Sequence, residues 1–169
     1  MMTKESYEYC MSRIRGIPRG ILLLRILEKI LTYGTGIVYL AFLLVLAYTK
    51  RYPLLGTGIL IPMLSFFLLS FFRVKYNAKR PYEVYGFKPL LPKDTKGKSF
   101  PSRHVFSIYV IGSTIFWVFP EVGIVVLLAG VLLAVLRVVS GVHFPKDVIA
   151  GAVFGMLCGI CMKTAIILL

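Results

Sequence analysis

Residues 122–151 read VGIVVLLAGVLLAVLRVVSGVHFPKDVIAG, an apolar run interrupted by Arg137 and followed by a short polar turn before the next apolar segment. The run from Val122 to about Leu136 predicts one membrane-crossing helix, and the segment from Val148 to the C-terminus predicts another. The whole chain has this character, with 58% hydrophobic residues, 16% charged residues and a mean hydropathy of +0.83. A soluble domain of this length could not bury so much apolar surface, so the sequence predicts an integral membrane protein.

Three more apolar segments precede this run, at residues 31–49, 54–72 and 102–119. The first is closed by Lys50-Arg51 and the third by Pro120. Residues 73–103, between the second and third segments, form the one long polar loop, with nine Lys or Arg and four Pro. We therefore expect an all-α, multi-pass transmembrane helical bundle of five spans, in a single domain over residues 31–169 whose motifs lie at 73–147.

The N-terminal segment, residues 1–30, is more polar than the spans. Its residues 12–30 interleave six charged side chains with Ile and Leu. A spanning helix would place several of these charges in hydrocarbon at roughly 2.5 to 3.5 kcal/mol each. An amphipathic helix in the membrane interface avoids that cost. We expect such an interfacial helix, with a sixth crossing near residues 14–31 as the alternative.

The formal net charge of +13 would suggest nucleic acid in a soluble protein. Here the Lys and Arg lie outside the apolar runs, as expected beside anionic lipid headgroups, so no nucleic-acid partner is predicted. The three cysteines, Cys10, Cys158 and Cys161, do not form a disulfide framework. No cofactor is predicted either.

The chain has only two histidines, and each lies in a short motif with arginine. The first motif is Pro101-Ser102-Arg103-His104; the second is Arg137 followed by His143 and Asp147. With five spans, the long polar loop and the turn after the fourth span lie on the same side of the bilayer. We therefore expect one cluster at that face, formed by Arg73, Arg80, Ser102, Arg103, His104, Arg137, His143 and Asp147.

The second motif has the residues needed for attack on phosphorus. Pro145 suits the first position of the last helix, so His143 precedes that helix and Asp147 lies in its first turn. The carboxylate can fix the tautomer of His143 and leave the other ring nitrogen free as a nucleophile. Arg137 would be costly inside the membrane without a partner. That partner is a substrate phosphate or, alternatively, Asp147 itself.

The first motif opens the third span. Ser102 suits an N-cap, and the first backbone N–H groups of a helix form an anion site. His104 could then protonate a departing oxygen beside a bound phosphate. Arg103 is expected to contact either the phosphate or a lipid headgroup. Arg73 and Arg80 can present guanidinium forks to phosphate oxygens.

These motifs resemble those of the type-2 phosphatidic acid phosphatase superfamily, membrane lipid-phosphate phosphatases related to vanadium-dependent haloperoxidases. The family pattern is Lys-x6-Arg-Pro, then Pro-Ser-Gly-His, then Ser-Arg-x5-His-x3-Asp, and residues 73–147 match it in order. The sequence departs from the pattern at three positions: Arg73 replaces Lys, Arg103 replaces Gly, and Leu136 replaces Ser.

The resemblance implies a metal-independent lipid phosphatase that works through a phosphohistidine. His143 would be the nucleophile, Asp147 its orienting acid, and His104 the general acid and base. The phosphate cradle would comprise Arg73, Arg80, Ser102, Arg103 and Arg137. The resemblance also suggests three substrates: undecaprenyl diphosphate, which we favour, phosphatidylglycerophosphate, and phosphatidic acid. The alternative function is a non-catalytic membrane protein that binds anionic lipid headgroups.

Two arguments disagree on which side of the membrane the site faces. Seventeen of the twenty Lys and Arg would lie on the catalytic face, which by positive-inside counting is cytoplasmic. The resemblance instead implies an extracytoplasmic site in the cell membrane.

Small residues recur along the last span at Gly151, Gly155 and Gly159, every fourth position. Such a face lets another helix approach closely. The partner helix would belong either to the same chain or to a second copy in a homodimer.

Overall fold

Residues 2–92 and 95–168 are described by a computed structural model, in which seven helices and no strands form over these ranges. The helices are α1 (Lys4–Gly16), α2 (Gly20–Tyr48), α3 (Tyr52–Tyr76), α4 (Pro81–Tyr85), α5 (Arg103–Phe116), α6 (Pro120–Val139) and α7 (Pro145–Leu168). The all-α bundle expected from the sequence is confirmed. Each predicted span corresponds to one helix, in the order α2, α3, α5, α6 and α7.

Helix α5 lies at the centre of the bundle. Nine of its fourteen residues are buried, and its main packing partners are α7 and α6. At 1.5 Å per residue it is only about 21 Å long, shorter than the hydrocarbon thickness of about 30 Å. It can be short because its neighbours, rather than lipid, surround it. Its first turn therefore lies inside the bundle, where the other helix ends can reach it.

Among the residues that the structure describes, four helices are long and apolar enough to cross a bilayer: α2, α3, α6 and α7. Their lipid-facing character is visible in the large apolar side chains they expose, such as Leu44, Leu68, Leu128 and Ile149. In a soluble protein these would be a liability, but here they form the surface that meets lipid tails. The chain is thus a multi-pass membrane protein.

The N-terminal segment breaks at a different place from the one expected. We predicted a boundary near residue 30, whereas α2 begins at Gly20 and runs unbroken for 29 residues. The break falls at residues 17–19, where Pro18 lacks a backbone donor and Arg19 adopts a left-handed conformation with φ of 60°. Residues 14–31 hold no separate helix for a sixth crossing. At about 43 Å, α2 exceeds the hydrocarbon core, so its charged first turns can lie among headgroups.

The glycine face of α7 packs against α5 of the same chain. A Cβ at Gly155 would lie 2.7 Å from Cβ of Tyr109, and one at Gly159 would overlap Cβ of Ser113. At Gly151 the nearest atom is the carbonyl oxygen of Ser102 at 2.7 Å. Of the two expected partners, the intramolecular helix therefore occupies this face. A homodimer could form through these glycines only if α5 were displaced from this face of α7.

Candidate active site

The ends of four helices meet at one end of the bundle. Arg73 lies in the last turn of α3, His104 in the first turn of α5, Arg137 in the last turn of α6, and His143 two residues before the start of α7. Together with Arg80, Arg103 and the loop residues Thr95, Lys96 and Lys98, they line a cavity of about 420 Å³, which we call the arginine cavity. The gathering expected from the parity of crossings is thus present in the structure.

His143 is held by a polar network that includes a residue absent from the sequence prediction. Its Nδ1 lies 3.5 Å from Oδ2 of Asp147 and 3.4 Å from Oγ of Ser99. The Ser99 hydroxyl donates to the same Asp147 oxygen at 2.5 Å, and the amide of Phe144 donates to it at 3.0 Å. His143, Asp147 and Ser99 therefore form one buried polar cluster. No sequence motif marked Ser99, which lies two residues before Pro101.

The other ring nitrogen of His143 faces an arginine. Nη1 of Arg80 lies 3.4 Å from His143 Nε2. A guanidinium can only donate, so this geometry assigns the lone pair to Nε2 and the proton to Nδ1, on the side of Ser99 and Asp147. Nε2 of His143 therefore faces the positive charge of the Arg80 guanidinium. A phosphate drawn to Arg80 would arrive next to it.

Arg73 and Arg80 are fixed by the backbone of residues 97–101. Arg80 donates to the carbonyls of Gly97 at 3.0 Å and Lys98 at 3.3 Å, and Arg73 donates to the carbonyls of Lys98, Ser99 and Pro101. Part of each guanidinium is thus committed to holding the loop. Both side chains still border the arginine cavity, so each serves the loop and the cavity at once.

Glu83 ties this loop to α4. Its carboxylate accepts from the backbone amide of Arg80 at 2.8 Å and from that of Gly97 at 2.9 Å. Pro81 occupies the first helical position of α4. Glu83 therefore connects α4 to Gly97, which lies between the cavity-lining residues Lys96 and Lys98.

Arg137 pairs with an acid from the N-terminal half of the chain. Its Nη1 donates to Oε1 of Glu28 at 2.9 Å. The suggested pairing with Asp147 is therefore wrong: Oδ2 of Asp147 accepts from Ser99 and Phe144, and its Oδ1 has no hydrogen-bond partner within the described residues. Glu28 was missed as a site residue. Its signal was faint: it lies in a stretch whose other charged residues are mostly basic.

The start of α5 is arranged partly as expected. Ser102 is the N-cap residue, but its side chain makes no capping bond, and its Oγ is buried without a hydrogen-bond partner within the described chain. The Ser102 amide instead donates to the carbonyl of Asp147 at 2.8 Å, which joins the two motifs. Arg103 is exposed and places its guanidinium carbon 5.4 Å from the ring centre of Phe66. It borders the cavity from the α3 side.

Helix α1 contacts the backbone of the site at His143. The hydroxyl of Tyr7 donates to the carbonyl of His143 at 3.0 Å, and Tyr7 and Met11 pack in a core cluster with Leu90, Val142 and Phe144. Burial, with the Asp147 carboxylate as the second cause, raises the pKa of the Tyr7 phenol. The phenol therefore stays protonated as a donor. Sequence reasoning missed Tyr7, because this contact spans 136 residues.

Cavities extend from the arginine cavity along the helices. A second cavity of about 320 Å³, lined in part by Thr32, Thr35 and Ser107, shares Arg103 and His104 with the arginine cavity. A third of about 490 Å³ shares Phe66, Ser107 and Ile111 with the second and is lined almost entirely by apolar side chains of α2, α3 and α5. The polar site therefore continues into an apolar groove. Within the described residues, no three His, Cys, Asp or Glu side chains converge as metal ligands.

Comparison with known proteins identifies the family. The sequence model described as "PAP2 superfamily" matches residues 54–166, which is more than half of the chain. The bacitracin transport permease protein BcrC of Bacillus licheniformis is 41% identical over 59 residues. That match covers 35% of this chain and 29% of the relative, so the chain matches less than a third of that protein's length.

Two solved structures share the architecture. LpxE of Aquifex aeolicus superposes with a TM-score of 0.67 and 25% identity, covering 93% of both chains. A transmembrane PAP2-type phosphatidylglycerolphosphate phosphatase from Bacillus subtilis superposes with a TM-score of 0.63, covering 95% of this chain and 84% of that one. Its identity is 22%, so this second likeness shows the fold alone.

Proposed function

Because the chain belongs to the PAP2 superfamily, we propose that it is a membrane phosphatase that hydrolyses a lipid phosphate or diphosphate through a phosphohistidine. One observation carries this proposal. Both histidines and four arginines line a single cavity that continues, past His104 and Arg103, into an apolar groove. The cavity suits a phosphate and the groove suits a hydrocarbon chain.

In the first step, Nε2 of His143 attacks phosphorus while the arginines hold the non-bridging oxygens. A nitrogen–phosphorus bond forms as the bond from phosphorus to the leaving oxygen breaks, and that oxygen departs with the electron pair. His104 supplies the proton that the leaving oxygen takes up. Asp147 and Ser99 stabilise the proton on Nδ1 as the ring of His143 becomes positively charged.

In the second step, water replaces the departed group. His104, now neutral, accepts a proton from that water as the water oxygen attacks the phosphohistidine. The phosphorus–nitrogen bond breaks and its electron pair returns to Nε2 of His143. Inorganic phosphate is released, and both histidines regain their starting protonation states. The residues in the cavity supply all the proton transfers, so no metal is assigned a role.

Within this class, we propose a polyprenyl diphosphate as the substrate. The apolar groove, with a volume of about 490 Å³, supports a hydrocarbon tail, and undecaprenyl diphosphate is among the substrates that the motif resemblance suggests. Purified protein in detergent should release phosphate from undecaprenyl diphosphate faster than from phosphatidylglycerophosphate or phosphatidic acid at equal surface concentration. His143→Gln is the matched inactive control. Headgroup binding without phosphate release from any of the three lipids would instead support the non-catalytic alternative.

We propose that the catalytic face is extracytoplasmic, as the family resemblance implies. The opposing argument, the excess of Lys and Arg on this face, has another explanation in the structure. Arg73 and Arg80 hold loop carbonyls, and with Arg103 and Arg137 they border the arginine cavity. Because these four arginines have a role in the site, they are weak evidence that this face of the membrane is cytoplasmic.

A further inference from the structure

One face of α2 runs past the candidate active site and changes character along its length. One side of the helix carries polar residues at intervals of three or four: Arg25 is followed by the adjacent pair Glu28 and Lys29, then by Thr32 and Thr35. The first three line a cavity of about 290 Å³, which we call the side cavity. The two threonines line the cavity that leads to the apolar groove.

The side cavity adjoins the arginine cavity. His104 and Arg137 border both. The remaining walls come from Leu91 and Pro92 of the polar loop. His104 would therefore lie between a group bound in the side cavity and a phosphate bound in the arginine cavity.

The side cavity has an excess of positive charge and unmet donors. Three cations, Arg25, Lys29 and Arg137, line the side cavity together with one carboxylate, that of Glu28, which is already bonded to Nη1 of Arg137. The Arg137 side chain is only 4% exposed. Its Nε and Nη2 are buried without hydrogen-bond partners within the described residues. Buried guanidinium donors without acceptors are costly, and an anion with several oxygens would satisfy them.

We infer that the side cavity is the subsite for the second, lipid-proximal phosphate of a diphosphate substrate. This inference rests on the proposed function and assigns a binding place to the second phosphate of the proposed diphosphate substrate. The distal phosphate occupies the arginine cavity next to His143, while the proximal phosphate is held by Arg25, Lys29 and Arg137. The tail then follows the threonines of α2 into the apolar groove.

This arrangement places each group where the reaction needs it. His143 Nε2 attacks the distal phosphorus, and the bond from that phosphorus to the bridging oxygen breaks. The bridging oxygen leaves with the electron pair as part of the lipid monophosphate and takes its proton from His104, which borders both cavities. Cations around the proximal phosphate stabilise the charge that this leaving group gains. A monophosphate lipid places no phosphate there and gains nothing from them.

The test compares two substrates with the same tail, farnesyl diphosphate and farnesyl monophosphate, in the wild type and in the Arg25→Gln/Lys29→Gln double variant. We expect the variant to lose about tenfold or more in kcat/KM on the diphosphate. On the monophosphate it should change less than about threefold. The control is Lys4→Gln/Arg13→Gln, which removes two exposed charges from α1 away from both cavities. A monodisperse gel-filtration peak for each variant establishes that it folds.

The other outcomes separate the two hypotheses. Equal losses on both substrates, or a control that behaves like the double variant, would mean that Arg25 and Lys29 only attract anionic lipid in general, which overturns the subsite. A wild type active on the monophosphate alone would also overturn it while leaving the phosphatase intact. A folded wild type that releases phosphate from neither lipid would overturn the proposed function itself.

Discussion

Replacing Asp147 by Asn tests whether the carboxylate charge is needed. Asp147 Oδ2 lies 3.5 Å from Nδ1 of His143, and in the phosphohistidine intermediate that ring is positively charged. At an effective dielectric constant of about 20, two unit charges at this separation attract by about 5 kcal/mol. The asparagine oxygen can keep the bond from the Phe144 amide, so part of the geometry survives. We therefore expect kcat to fall by about 10² to 10³, within the ceiling set by that attraction.

The measurement is steady-state phosphate release from the preferred lipid, with KM and kcat determined separately. The KM of Asp147→Asn should change little, because Asp147 does not touch the substrate. Glu121→Gln, which removes a carboxylate in the first turn of α6, is the control and should keep full activity. Ser99→Ala, which leaves the charge in place, should cost only about tenfold. If Asp147→Asn keeps more than half of the wild-type kcat, the carboxylate has only a structural role and our account of His143 is refuted.

Three further predictions concern metals, packing and topology. Activity should persist in EDTA and be inhibited by vanadate, a mimic of pentacoordinate phosphorus; activity lost in EDTA and restored by magnesium would contradict this. Gly155→Leu should cost about 1–3 kcal/mol or more and reduce folded protein, because a Cβ there already lies 2.7 Å from Tyr109, whereas Gly56→Leu, with no atom within 4 Å, should be tolerated. In a cysteine-free background, Thr95→Cys should react with an impermeant maleimide on intact cells; labelling only after lysis would place the site in the cytoplasm.

The sequence was sufficient to predict most of the fold, for physical reasons. Apolar runs of membrane-crossing length are a strong local signal, and all five became helices. The N-terminal boundary was misplaced because insertion costs were applied to a helix whose first turns can lie outside the hydrocarbon. Pro18 is the local signal for the observed break between α1 and α2. The charge pattern of residues 12–30 instead indicated a boundary near residue 30.

The site was predictable as a set of motifs but not as a network. Parity of crossings brought both histidines to one face without any knowledge of packing. Ser99, Glu28 and Tyr7 could not be found this way, because each acts through a contact with a residue at least 44 positions away. Glu28 had the best chance, since it shares a helical face with Thr32 and Thr35.

Trapping the phosphoenzyme tests the central claim most directly. Labelled substrate is mixed with wild type, His143→Ala or His104→Ala, quenched within milliseconds, and analysed for acid-labile phosphohistidine. We expect no phosphoenzyme from His143→Ala with any substrate. His104→Ala should still be phosphorylated by nitrophenyl phosphate, whose leaving group needs little protonation, but not by a lipid substrate. Labelled phosphate on residue 104 of the His143→Ala protein, or equal loss by His104→Ala on both leaving groups, would contradict the assignment of nucleophile and acid.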